Sequence, residues 1–148
     1  MAMAAATATL DASSLGCGRM RNFLRSVAPF AAPLTLMALI YAFSAMPSDG
    51  TDHGVLVLVL RKLTHFGEYF ALTALWWWAL RTQVGGRRAL VPAVAIAIGY
   101  AITDEIHQTF VDGRVGTPRD ILIDSAGALT AAWSIARSRK RKRAAAAA

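Results

Sequence analysis

No charged residue stands between Arg25 and Asp49. A run of that length is enough to cross a bilayer core, which takes roughly 20 predominantly apolar residues. Three further apolar stretches follow, at about 63–80, 89–110 and 120–136. Each of these three is apolar at one end and ionisable at the other. The second carries His65 and Glu68. The third is apolar as far as Thr103 and then reads Asp104-Glu105-Ile106-His107-Gln108, and the fourth holds Asp124 one turn inside. Only 17% of the chain is charged and 55% is hydrophobic, whereas a soluble domain is usually about 25% charged. A soluble bundle of buried core helices would need polar sequence to cover four such runs, and this chain has too little. Inside a bilayer the backbone must satisfy its own hydrogen bonds, so the expected class is all-α, an integral membrane four-helix bundle. The expected organisation is a disordered basic N-terminus over 1–27, the four-helix membrane domain over 28–136 and a basic tail over 137–148. Met1–Gly18 and Ala144–Ala148 read as disordered ends.

The sixteen basic residues set the orientation. Arg19, Arg21 and Arg25 precede the first stretch. Arg81, Arg87 and Arg88 lie between the second and third. Arg137, Arg139, Lys140, Arg141, Lys142 and Arg143 follow the fourth. These twelve flank one side, while the other two links hold only Arg61, Lys62, Arg114 and Arg119. Cytoplasmic loops carry the Lys/Arg excess, so both termini are expected in the cytoplasm of a multi-pass protein of the bacterial inner membrane. A net charge of +7 often signals nucleic acid, but its placement here is a topology signal that also suits anionic headgroups. No nucleic-acid partner is expected. The first eighteen residues lack a positive segment ahead of an apolar run, which argues against an ordinary signal peptide. Cys17 follows Leu15-Gly16 without a preceding hydrophobic stretch, unlike a lipoprotein cleavage site. As a lone cysteine it allows neither an internal disulfide nor a cysteine-based metal site. Trp76-Trp77-Trp78 read as an interfacial anchor at the cytoplasmic end of the second helix. Pro92 is tolerated near the start of the third.

The acidic residues form the functional signal. Apart from Asp11, they are Asp49, Asp52, Glu68, Asp104, Glu105, Asp112, Asp120 and Asp124, all in the two outer links or the outward halves of helices. Ionisable groups at membrane depth are costly and usually face a bundle interior or a wet cavity. Lys62, His65 and Tyr69 share one face of the second helix, with Glu68 about 60° away. Asp104 and Gln108 are four apart and Glu105 and Gln108 three apart. Adjacent Asp104 and Glu105 diverge by about 100°. Asp120 and Asp124 share a face that Gly127 continues, and Gly127-xxx-Ala131 is a small-residue face for close helix approach. The antiparallel order places all three polar ends on one side, where they can converge into an outward-open cup rimmed by Arg114 and Arg119. Pro118 then starts the fourth helix with Thr117 as its cap. His53 reads as a solvated loop residue, and His107 as facing either headgroups or the cup.

Taken in order, Lys62-x-x-His65-Phe66-x-x-Tyr69-x-x-Leu72, then Asp104-Glu105-x-x-Gln108-x-Phe110-x-x-x-Arg114, then Asp120-x-x-x-Asp124-x-x-Gly127 resembles the VanZ-like family of small membrane proteins. The resemblance covers about residues 30 to 136, and its second half is the more specific part. It implies an envelope role and contact with cell-wall precursors or their lipid carrier, since the family is named for a member linked to teicoplanin resistance. It supplies no reaction. One departure is Asp124, where the family pattern favours Asn.

Three functions compete. The first is binding or remodelling of an anionic lipid or lipid-linked envelope precursor. Lys62, Arg114 and Arg119 would hold phosphate, and Tyr69, Gln108, Asp120 and Asp124 would complete the site. The second is a membrane enzyme acting on a lipid phosphate or ester, with His65 as general base or nucleophile, Asp104 or Glu105 orienting it, and Arg114 stabilising charge. The third is a proton-linked or ion-conducting transporter, for which no inverted repeat is visible. An ion-pair network that only locks the helices together is the structural alternative. Asp104, Glu105, Asp120 and Asp124 are oxygen ligands suited to a divalent cation. No established metal spacing such as His-Glu-x-x-His is present, so neither a metal nor another cofactor is assigned. The oligomeric state is left open.

Overall fold

Helices account for almost all of the described residues, 24–48 and 54–148, in the computed structural model. They are α1 (Leu24–Ser44), α2 (Gly54–Val84), α3 (Leu90–Gln108) and α4 (Pro118–Ala146). No strand occurs among the described residues. The expectations for Met1–Gly18, Cys17, Asp49, Asp52 and His53 fall outside them.

Each apolar stretch became a helix, with different ends. α1 is already helical at Leu24, four residues before the expected start at 28, and stops at Ser44. α2 has 31 residues, or about 46 Å at 1.5 Å per residue. It therefore extends well before Leu63, through the apolar run Val55–Leu60. Gly85, at φ +82°, follows its last residue in the left-handed conformation that glycine adopts without penalty. α4 starts at the expected cap: the Thr117 hydroxyl accepts the Asp120 N–H at 3.2 Å, and Pro118 occupies the first turn. At its other end, the tail expected to be disordered from Ala144 stays helical to Ala146. Arg, Lys and Ala are all strong helix formers, which suffices to continue the rod.

Small residues decide the packing. Ala93, Ala97 and Ala101, four apart along α3, are all fully buried. Gly127, Ala128 and Ala131 on α4 are buried as well. A Cβ on Gly127 would overlap the carbonyl oxygen of Phe66 on α2, so these two helices pack backbone to backbone, as small-xxx-small faces permit. Among α2, α3 and α4, the α2–α4 pair is the most extensive, and α3 packs on both. The core groups Ile40 from α1 with Tyr69, Leu72, Ala97, Ala101 and Ala128. Tyr100 donates its hydroxyl to the Met37 carbonyl at 2.6 Å, tying α3 to α1.

Much of the exterior is apolar. Val55 through Leu60 are exposed without interruption. α1 and α3 are both long and apolar enough to cross a membrane, yet only 11% and 28% of their most apolar windows are buried. The core helix of a soluble protein would be mostly buried.

The two ends of the bundle are tied differently. At one end the loops after α1 and α3 meet, with the Ser48 N–H donating to the Asp112 carbonyl at 3.1 Å. Gly113, at φ +71°, lies so close that a Cβ would overlap the Ser48 carbonyl oxygen. At the opposite end Trp77 donates its indole N–H to the Gly86 carbonyl at 2.8 Å. Arg81 of α2 and Arg139 of α4 lie over its ring at 5.2 and 5.8 Å. Trp76 packs edge-on against Phe30 of α1 at 6.0 Å. The tryptophan run thus binds three helices at that end.

Candidate functional site

Three helix ends converge beside the Ser48–Asp112 junction. α2 contributes Lys62 and His65, which are three apart and so share a face. Lys62 forms an ion pair with Asp120 on the first turn of α4. One turn deeper on both helices, His65 Nδ1 stands 3.5 Å from Asp124 Oδ1. The parallel pairing of α2 and α4, set by the glycine contact at Phe66, aligns these two rungs.

α3 presents its carboxylates on the face that begins with the alanine stripe. Asp104 and Glu105 are both buried, as is Gln108. The Gln108 amide donates to Asp104 Oδ2 at 3.0 Å and more weakly to Glu105 Oε1 at 3.4 Å. Glu105 Oε2 also accepts the Thr117 backbone N–H at 2.7 Å, at the start of α4. The expected divergence of the acidic pair thus takes a definite form: Glu105 turns toward α4, and Asp104 toward a cleft bordered by α1 and α2.

Two clefts flank this cluster. The larger, about 840 Å³, runs between the first half of α2 and the α3–α4 loop. Its apolar lining is Val55, Leu58, Val59, Leu63 and Ile123. Its cationic lining is Arg61, Lys62, Arg114 and Arg119. The smaller, about 300 Å³, holds Asp104, Glu68 and Ser44, whose buried hydroxyl lacks a hydrogen-bond partner. His65, Arg61 and Arg114 border both clefts.

Several residues act differently from their sequence reading. Arg114 does not present a free fork. Its Nε donates to the Met46 carbonyl and its Nη2 to the Phe43 carbonyl, each at 2.8 Å, at the C-terminal end of α1. A cation there satisfies orphan carbonyls and complements the helix dipole. Burial, and then the neighbouring Arg61 charge, pull its pKa below the ordinary arginine value. Tyr69 is fully buried in the core, 6.4 Å from the Tyr100 ring, and lines neither cleft. His107 stacks on Tyr41 at 4.7 Å rather than joining the cluster. Lys62, His65, Asp104, Glu105, Gln108, Asp120 and Asp124 do come together, across three helices. Arg61 was passed over except as a charge to be counted. Its position four residues before His65 was the available signal, since that spacing puts the two on one face.

This constellation falls within a known family. A family model described as VanZ/LLP1 matches residues 9–139, most of the chain. The chain belongs to the VanZ/LLP1 family. No curated protein and no solved structure matches it.

Proposed function

We propose that this VanZ/LLP1 protein binds or remodels an anionic lipid or lipid-linked envelope precursor. In this reading it is a multi-pass protein of the bacterial inner membrane, with both termini cytoplasmic and the clefts facing outward. The observation that carries the reading is the larger cleft, whose lining combines four basic side chains with a set of apolar ones. An anionic headgroup on an acyl or polyprenyl chain has that same division. Arg61 and Arg119 form none of the hydrogen bonds or ion pairs found among the described residues, so their planar guanidinium groups are available to phosphate. Lys62 remains half-exposed beside Asp120 and adds charge. The family name links such proteins to glycopeptide resistance, which fits a ligand from cell-wall synthesis.

A second reading, catalysis on the bound headgroup, is favoured by one observation. His65, which lines the cleft, lies 3.5 Å from the buried Asp124. An imidazole beside a carboxylate is the pairing that general base catalysis uses.

One experiment separates these readings. Purified protein in nanodiscs is offered polyprenyl and glycerol phospholipids, and retained and altered lipid are both followed by mass spectrometry. Selective retention that falls at least tenfold in the Arg61→Gln/Arg119→Gln double variant supports binding. Conversion that disappears in Glu105→Gln makes the protein an enzyme. Wild-type retention equal to that of the double variant, with no conversion, refutes both.

A further inference from the structure

The binding reading uses the basic residues that line the cleft and leaves the neighbouring buried acids unexplained. His65 comes from α2, Glu105 from α3 and Asp124 from α4. One candidate ligand atom from each lies within 4.8 Å of the other two. Asp124 is fully buried, and neither of its carboxylate oxygens has a hydrogen-bond partner. His65 Nδ1 is likewise buried and unpartnered, at 3.5 Å from Asp124 Oδ1, longer than a good hydrogen bond. Asp104, with a buried unpartnered oxygen of its own, and Glu68 add negative charge around the same imidazole. Of the nearby cations, Lys62 is paired with Asp120, Arg114 is bonded to the end of α1, and Arg61 forms no ion pair with the triad. A buried carboxylate with no hydrogen bond to either oxygen, as at Asp124, is costly, so this pattern calls for a cation.

We propose that His65, Glu105 and Asp124 form a binding site for a divalent transition-metal ion among α2, α3 and α4, beside the larger cleft that His65 lines. Ligand atoms around such an ion, with bonds of about 2.0–2.2 Å, stand roughly 3.0–3.4 Å apart. The His65–Asp124 separation, 3.5 Å, is already near that range, and no spacing in the triad exceeds 4.8 Å, a difference within reach of side-chain rotation. Two carboxylates and one imidazole make a mixed oxygen–nitrogen set, which suits Mn²⁺ or Zn²⁺ better than a purely oxygen-seeking ion. Glu105 is oriented from behind by the Thr117 N–H and the Gln108 amide, the outer support that metal ligands commonly have. His65 borders both clefts, which gives the ion a route in. If the lipid reading also holds, the ion faces the headgroup phosphate as a further positive charge. The metal site itself stands without that reading.

The test uses the full chain, purified in detergent without a histidine tag and stripped with a chelator. Mn²⁺ binding is followed by electron paramagnetic resonance and Zn²⁺ binding by equilibrium dialysis. Wild type takes up one equivalent, and its Mn²⁺ signal shows nitrogen coupling from an imidazole. Asp124→Asn and Glu105→Gln, nearly isosteric, each weaken binding at least tenfold, while Asp112→Asn leaves it unchanged. No saturable uptake by wild type, or uptake without imidazole coupling, overturns the proposal whether or not the variants fold. Undiminished binding in folded Asp124→Asn overturns it as well. Lipid retention measured with and without chelator is scored separately, so loss of the metal site and loss of the lipid site are distinguishable.

Discussion

Replacing Arg114 with methionine removes two hydrogen bonds that join the α3–α4 loop to the end of α1. The donors are charged, the acceptors are the Phe43 and Met46 carbonyls, and both distances are 2.8 Å. A hydrogen bond to a charged group contributes about 1.5–3 kcal/mol when buried. Arg114 is only partly buried, so solvent screening reduces each to about 1 kcal/mol. A cation at a helix C-terminus adds about 0.3–1 kcal/mol. The expected loss for Arg114→Met is therefore about 2–3 kcal/mol. Arg114→Lys keeps the charge and reaches one carbonyl, so it loses about 1 kcal/mol. For a chain of this length 1 kcal/mol corresponds to roughly 2–4 °C in Tm. Thermal unfolding of the full chain in detergent micelles should place Arg114→Met well below wild type, with Arg114→Lys between them. Arg114→Met melting within about a degree of wild type would refute the linking role. Reduced lipid retention in Arg114→Lys at undiminished stability would instead return Arg114 to phosphate binding.

Thr117→Ala should cost about 1 kcal/mol through loss of the α4 cap. Glu105 is held by the backbone N–H of that residue rather than its hydroxyl, so lipid retention in nanodiscs should match wild type. Gly127→Val should lower Tm by an amount equivalent to about 1–3 kcal/mol, because a side chain there meets the Phe66 backbone and forces α2 and α4 apart. The helix-propensity gain over glycine is well under 1 kcal/mol and does not offset this, so a variant as stable as wild type would disprove the close approach. A fluorescent-protein fusion after Ala148 should fluoresce in a bacterial host and the matching alkaline-phosphatase fusion should be inactive. The opposite pattern would invert the proposed orientation.

The existence of four helices could be read directly, because helical hydrogen bonds are local and an apolar run reports its own burial or membrane fit. The α4 cap was legible for the same reason: Thr117, Pro118 and Asp120 act within one turn. The extent of α2 was not, since Val55–Leu60 meets Arg61 and Lys62 before the next apolar run and nothing local says that the helix continues through them. The helix end at Ala146 was missed because an alanine run beside basic residues was read as disorder rather than weighed for helix propensity.

The candidate cluster divides in the same way. Spacing put Lys62 and His65 on one face, and Asp104, Glu105 and Gln108 on another, since positions three and four apart in a helix are neighbours whatever surrounds them. Which carboxylate meets which cation was a different matter. Asp120 takes Lys62, Asp124 faces His65, Glu105 receives the Thr117 N–H, and Arg114 turns to the end of α1. Those pairings depend on the axial offset between helices, which is fixed where Gly127 meets Phe66 and where the alanines of α3 let its neighbours approach. Electrostatic and hydrogen-bond energies change within an ångström or two, so only the packed arrangement could select among partners that the sequence left equally available.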